Sequence, residues 1–283
     1  MRRRVDILSK HNQWILGGII KESINALKLP VFVNELPSLK REYLNPKKFR
    51  SFILPPKSDL VLVVHHEAIS RIKINNRKSS NQKIRILLTH FEPESRIPDF
   101  LTVGSIKWER ILVQNSRMKE KLLEVNENIE EDSIITYYGA IDRNEYYPAK
   151  SNKNRNYILI AGDCKPRKNP NLVREVIRAN PQLNFVIHGR GWEDYGFVNI
   201  SNKFKNLKYI GFNKKEHPQL MRNAQLLLSL SRIEGGPFPV LEALASGTPV
   251  VATDTGFCRE LINDENGMLV RRNEEADQIS FAI

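Results

Sequence analysis

Residues 224–252 constrain the fold more than any other stretch of this chain. Ala224 to Ser229 is an apolar run of strand length. Ser231, Arg232 and Ile233 lead from it into Glu234, and Gly235 and Gly236 then free the backbone to approach a ligand or to take positive φ. Pro237 and Pro239 suit a helix's first turn, where an amide proton would be orphaned anyway. Leu241, Glu242, Ala243, Leu244 and Ala245 carry the helix on, and Gly247 with Pro249 stops it. Val250 to Ala252 reads as the next buried strand. Strand, loop, helix and strand in this order close as a parallel pair with a helical crossover.

The same alternation recurs. Arg4–Ser9, Asp59–Val64, Lys83–His90, Tyr157–Gly162 and Phe185–Gly191 read as further strands rich in apolar residues, and helical stretches are expected at 19–27 and 171–178. At 283 residues the chain has room for two domains, each with its own core. The fold class is therefore α/β, with doubly wound parallel sheets. Ligands of such sheets sit at the carboxyl ends of the strands, where most of the glycines and histidines fall.

The loop at 234–242 carries chemistry as well as geometry. A helix N-terminus offers unbonded amide protons and the positive end of a dipole, which suits an anion. Glu234 and Glu242 flank that end. Carboxylates do not hold phosphate, but they accept hydrogen bonds from sugar hydroxyls. A diphosphate between two sugars would use both features; a well-capped helix with two solvated glutamates is the plainer reading of the same residues.

The segment resembles the E-x7-E signature of the retaining glycosyltransferases of family four (glycosyl transferases group 1), which have the GT-B fold. Ser231, Glu234, Gly235, Pro239, Glu242, Ala243, Ala245, Gly247, Pro249, Val250 and Val251 fit the usual pattern, while Gly236-Pro237-Phe238 replaces its Phe-Gly-x step. The order of motifs agrees: Gly162 through Lys168 resembles the loop whose arginine and lysine grip the donor diphosphate, although Asp163 stands where the family has arginine. Lys165 or Arg167 could take that arginine's place. The stretch from Ile134 through Gly139 and Asp142 to Pro148 resembles the block that ends the first domain, and the polar residues 151–156 read as a linker.

The resemblance implies two Rossmann-like domains facing a cleft, an acceptor-side domain at 1–150 and a nucleotide-sugar-binding domain at 151–283. It implies catalytic roles for Glu234, Lys168 and His90. Donor contacts would come from Gly17, Gly18, Arg167, Ser231, Gly235, Gly236, Pro237 and Glu242, with Glu242 on the nucleotide ribose. The expected reaction is transfer from a UDP- or GDP-linked sugar to a glycan or lipid-linked acceptor, with retention of configuration. No Asp-x-Asp pair occurs in the chain, so no metal or other cofactor is expected, and fixed cations would stabilise the leaving diphosphate. Family members usually continue past this endpoint, so a short C-terminus is expected to affect domain closure.

Charge is uneven. Residues 1–85 hold 18 Lys+Arg against 6 Asp+Glu, which is the whole net charge of +12. Such a surface favours an anionic partner, a membrane surface or lipid phosphate among them. Two isolated cysteines, Cys164 and Cys258, fit a reduced cytoplasmic setting, with any membrane role peripheral, on the inner face. The apolar run 14–20 is too short to span a bilayer. Two other classes remain: a glycosyltransferase-like binding protein or partner-dependent subunit without activity, and a nucleic-acid-binding protein, which rests on basic charge alone.

Overall fold

The computed structural model describes residues 108–151 and 155–283, apart from the side chain of residue 200, and, before them, the backbone of six strands. The chain divides into two compact units, Met1–Ala140 and Ile141–Ile283.

In the first unit the strands are β1 (Val5–Ser9), β2 (Val31–Glu35), β3 (Phe52–Ile53), β4 (Leu60–Val64), β5 (Ile72–Lys73), β6 (Ile84–Leu88), β7 (Arg110–Val113) and β8 (Ile134–Thr136). The main sheet is all parallel in the described pairings, in the order β2-β1-β4-β6-β7-β8, and β3 pairs with β5 in a separate two-stranded sheet. Helix α1 (Ser116–Val125) follows β7; Asn115 caps it, its Oδ1 accepting from the Met118 amide at 2.8 Å. Met118 and Leu122, one turn apart, bury the face that covers the sheet. Strand β2 was not among the strands expected from the sequence. Its apolar run is only three residues, Val31 to Val33, between Pro30 and the polar pair Asn34 and Glu35.

The second unit holds β9 (Ile158–Ala161), β10 (Phe185–His188), β11 (Leu207–Ile210), β12 (Leu226–Ser229), β13 (Val250–Thr253) and β14 (Gly267–Val270), in the order β11-β10-β9-β12-β13-β14, parallel throughout. This is the doubly wound order in which the sheet grows outward in both directions from β9 and β12. Both faces of β10 and β13 are buried, which is why their sequences are continuously apolar rather than alternating.

Its helices are α2 (Pro170–Ala179), α3 (Phe197–Ser201), α4 (His217–Asn223), α5 (Phe238–Ala245), α6 (Cys258–Leu261) and α7 (Ala276–Ser280). Leu172, Val173, Val176 and Ile177 form the buried stripe of α2 and pack with Ile158, Ile160, Phe185, Ile187 and Leu228. Trp192 and Phe197 meet edge to face in the same core, 5.0 Å between centroids. Helix α5 begins one residue after Pro237, which is its N-cap, and Pro239 falls in its first turn. It ends as its sequence requires: Gly247 takes φ +65°, and the Thr248 amide reaches back to the Ala243 carbonyl at 2.9 Å. At the C-terminal end, α7 opens on a capping box between Glu275 and Gln278.

The Asp142–Pro148 block packs onto the second unit. The Arg222 guanidinium lies 3.7 Å from the Tyr147 ring centroid and donates to the carbonyls of Glu145 and Tyr147. A Cβ on Gly247 would come 3.1 Å from Pro148 Cβ, so glycine there also admits this strap.

Candidate functional site

Strands β9 and β12 are neighbours whose onward connections diverge to opposite sides of the sheet, leaving a crevice beyond their carboxyl ends. Two loops fill it. After β9, a single turn at Pro166–Lys168 ends at Asn169, whose left-handed backbone (φ 54°) redirects the chain into α2. After β12, Ser231 to Gly236 leads into α5. The loops are stitched together: the Arg232 amide donates to the Arg167 carbonyl at 2.8 Å, and the Arg167 guanidinium donates to the Ile233 carbonyl at 3.2 Å.

This stitching brings four of the expected residues to one point. The Lys168 ammonium lies 2.6 Å from Glu234 Oε1, and the Ser231 hydroxyl donates to the same oxygen at 2.8 Å. The Arg167 guanidinium pairs with Glu234 Oε2. Glu234 is 6% exposed and Lys168 13%, while Arg167 at 38% is the solvent-side member. Burial is the largest influence on the Glu234 carboxyl and works to raise its pKa. Lys168 and then Arg167 outweigh it and hold the carboxyl below its usual range. Two cations on one carboxylate leave the cluster with a net positive charge, directly ahead of the N-terminus of α2. Such a cluster suits an oxyanion.

Glu242, one turn into α5, has its own set of partners. The Tyr146 hydroxyl donates to its Oε1 at 3.0 Å, and His217 Nε2 lies 2.9 Å from its Oε2. Behind His217, its Nδ1 faces His188 Nδ1 at 2.9 Å, and His188 Nε2 accepts from the Asn213 amide at 3.0 Å. The His188 side chain, at the end of β10, is 0% exposed; burial and then the neighbouring His217 push its pKa down to about 4.

A pH dependence follows. Between about 6.5 and about 4 the unfolded chain takes up a proton on His188 that the folded chain does not. Stability present above 6.5 is therefore lost as pH falls toward 4, by at most about 3 kcal/mol at roughly 1.4 kcal/mol per unit. The Glu234 carboxyl, lowered rather than raised, begins to give up its stabilisation as pH falls through the ordinary carboxylate value of 4.5, so it adds to the loss only at the bottom of this window. Melting temperature measured from pH 7.5 to 5, above the carboxylate range, should fall in wild type and flatten in His188→Gln; parallel curves would contradict the assignment.

The remaining expected residues divide in two. Gly17, Gly18 and His90 lie outside the described residues. Gly235, Gly236 and Pro237 line the approach to α5; neither glycine is among those with positive φ, and the close approach there belongs to Gly256, whose added Cβ would come 2.9 Å from the Gly235 carbonyl oxygen. Asp163 braces two loops, its Oδ1 accepting from the Arg190 amide at 3.3 Å and so joining the segments that follow β9 and β10. Arg167 is the cation beside Glu234.

Sequence pattern did not single out Tyr146 or His217, and it marked His188 only as a strand-end residue. A tyrosine 96 positions from its carboxylate leaves no spacing signal, and a histidine before a proline at a helix start reads as an ordinary first turn.

The family model for glycosyl transferases group 1 matches residues 142–283, half of the chain. The chain belongs to that family. Among curated members it is 30% identical over 174 residues to the O-antigen biosynthesis glycosyltransferase WbnH of Escherichia coli, covering 59% of this chain and 48% of that protein. The chain spans about half the length of the curated relatives it matches. Among solved structures, Anabaena Alr3699/HepE in complex with UDP-glucose superposes with a TM-score of 0.71 at 17% identity, covering 98% of this chain and 88% of that one. The apo form of the lipopolysaccharide outer core galactosyltransferase WaaB gives a TM-score of 0.71 at 15% identity, covering 99% and 88%. These likenesses bear out the GT-B fold class of this glycosyl transferases group 1 chain. Among the described residues, no helix is long and apolar enough to cross a membrane.

Proposed function

We propose that this chain transfers a sugar from a nucleotide-sugar donor, UDP- or GDP-linked, to a glycan or lipid-linked acceptor, with retention of configuration and without a metal ion. The pairing of Arg167 and Lys168 with buried Glu234 at the β9–β12 crevice carries the reading. A donor diphosphate offers these cations stronger, multiply charged acceptors than one carboxylate does. On binding, Lys168 and Arg167 turn to the phosphates. The oxygens of Glu234 are then released to accept from hydroxyls of the transferred sugar, with Ser231 still holding Oε1.

As the glycosidic bond breaks, positive charge grows on the sugar ring and negative charge on the leaving diphosphate. Lys168, Arg167 and the amides at the start of α2 meet the negative charge, and carboxylate Glu234 lies on the side of the positive one. His90 is assigned to the transferred sugar and Gly17 and Gly18 to the phosphates by the resemblance. Glu242, further along α5, meets the ribose. The excess charge of residues 1–85 suits a lipid-linked acceptor at an anionic membrane surface, on the cytoplasmic side.

The reading is supported by family membership and by the UDP-glucose bound in the similar HepE structure. Ligand-observed NMR against UDP-, GDP- and ADP-sugars, with EDTA present, tests it. One donor should show saturation transfer, and Glu242→Gln should weaken its binding about tenfold, the worth of a hydrogen bond to a charged group. Silence from all three donors, or binding abolished by EDTA, would remove the metal-independent donor site.

A further inference from the structure

The partners of Glu242 form a chain with one direction. Its start is the Asn213 amide, which can only donate, and which points at His188 Nε2. A neutral imidazole has one donor and one acceptor nitrogen, so the proton of His188 is on Nδ1. His188 is fully buried and held neutral. Its Nδ1–H can then only donate to His217 Nδ1, 2.9 Å away, which places the His217 proton on Nε2, facing Glu242 Oε2 at 2.9 Å. The Tyr146 hydroxyl meets the other oxygen. Phe212 stacks on His188, 5.5 Å between centroids, and the Arg190 guanidinium lies 4.8 Å over Phe212, so the inner end of the chain is closed off.

The pieces come from five places: the end of β10, the loop after β11, the start of α4, α5 and the Asp142–Pro148 strap. The arrangement also has a defined output. Among the described residues each oxygen of Glu242 spends one lone pair on Tyr146 or His217, which leaves one per oxygen, a spacing that matches two neighbouring hydroxyls.

We propose that His217 and Tyr146 are positioning residues for Glu242, with the tautomer of His217 dictated through His188 by the Asn213 amide, so that the carboxylate is held ready for the vicinal diol of the nucleotide ribose. This rests on the placement of Glu242 at the ribose. The relay fixes the carboxylate before the ligand arrives, and the ordering cost is not met at the moment of binding.

The test compares UDP, GDP and ADP with their 2′,3′-dideoxy forms by calorimetry, in wild type, His217→Ala, His217→Gln and Tyr146→Phe. Wild type should bind its preferred diphosphate about tenfold more tightly than the dideoxy form. His217→Ala and Tyr146→Phe should shrink that factor to about two or three by weakening the ribose form alone. His217→Gln, which keeps an N–H donor toward Glu242, should restore most of it. Nitrogen-15 spectra of the histidines should show His188 protonated at Nδ1 and His217 at Nε2. Undiminished diol discrimination in His217→Ala, or a His217 proton on Nδ1, would overturn the relay while leaving Glu242 at the ribose. Equal wild-type affinity for both forms, or no binding of any of the three, would overturn the ribose placement and the relay with it.

Discussion

Lys168→Ala is expected to slow sugar transfer about 10²–10³-fold while weakening donor binding far less. The reason is timing of charge. In the bound donor the diphosphate already has Arg167 and the amides of α2 near it, so losing one cation costs modest affinity. In the transition state the departing diphosphate gains negative charge, and the partly buried ammonium is the group best placed to meet it. Single-turnover rates and donor dissociation constants, measured on one preparation, separate the two effects.

Among the described residues, the same substitution leaves Glu234 with Arg167 as its remaining cation partner in a buried position. A stability loss of about 1–3 kcal/mol should accompany it, less than for a fully orphaned buried charge because Arg167 stays. Lys168→Arg, which retains the charge on a wider group, should keep the stability better than the rate. Turnover of Lys168→Ala within threefold of wild type would refute the role assigned to this side chain.

Gly189→Ala is expected to destabilise the second unit strongly. A Cβ there would lie 2.0 Å from the Gly162 carbonyl oxygen and 2.7 Å from its carbon, both backbone atoms that no rotamer change can move. The same carbonyl accepts from Trp192 Nε1 at 2.9 Å, so pushing it aside also breaks a bond from the largest fully buried side chain. The carboxyl ends of β9 and β10 would separate, and with them the loop that carries Lys168. A cost of about 3 kcal/mol or more is expected, lowering the melting temperature by roughly 10 °C. Gly211→Ala is the control, since none of the described residues lies within 4 Å of the added Cβ. Equal melting temperatures for the two variants would show that the β9 and β10 ends are not apposed this closely.

Much of the architecture could be read from local pattern. The runs that became β9, β10, β12 and β13 are continuously apolar because both faces of a central parallel strand are covered, and that leaves a mark in any short window. Helix α5 was bounded correctly by Pro237 and Gly247, whose backbone preferences act within a residue or two. Strand β2 escaped because its apolar run is only three residues long, between Pro30 and Asn34. The unit boundary at Ala140 leaves the Asp142–Pro148 block with the second unit, through contacts of Tyr146, Tyr147 and Pro148 with residues far along the chain.

The candidate site divides along the same line. Local sequence was enough for the α/β class, for the strand–loop–helix–strand around Glu234, and for the candidates Arg167, Lys168, Ser231, Glu234 and Glu242. Turn chemistry, helix caps and buried runs are local properties. Only in three dimensions does β9 come to lie beside β12, and with it Arg167 and Lys168 meet Glu234 across 66 or more positions. The same holds for Asp163 bracing a loop, and for Tyr146, His188 and His217 converging on Glu242. Those contacts depend on strand order and on the burial that strand order creates. No short window of sequence carries either, because the energy that selects them is the packing of the whole sheet.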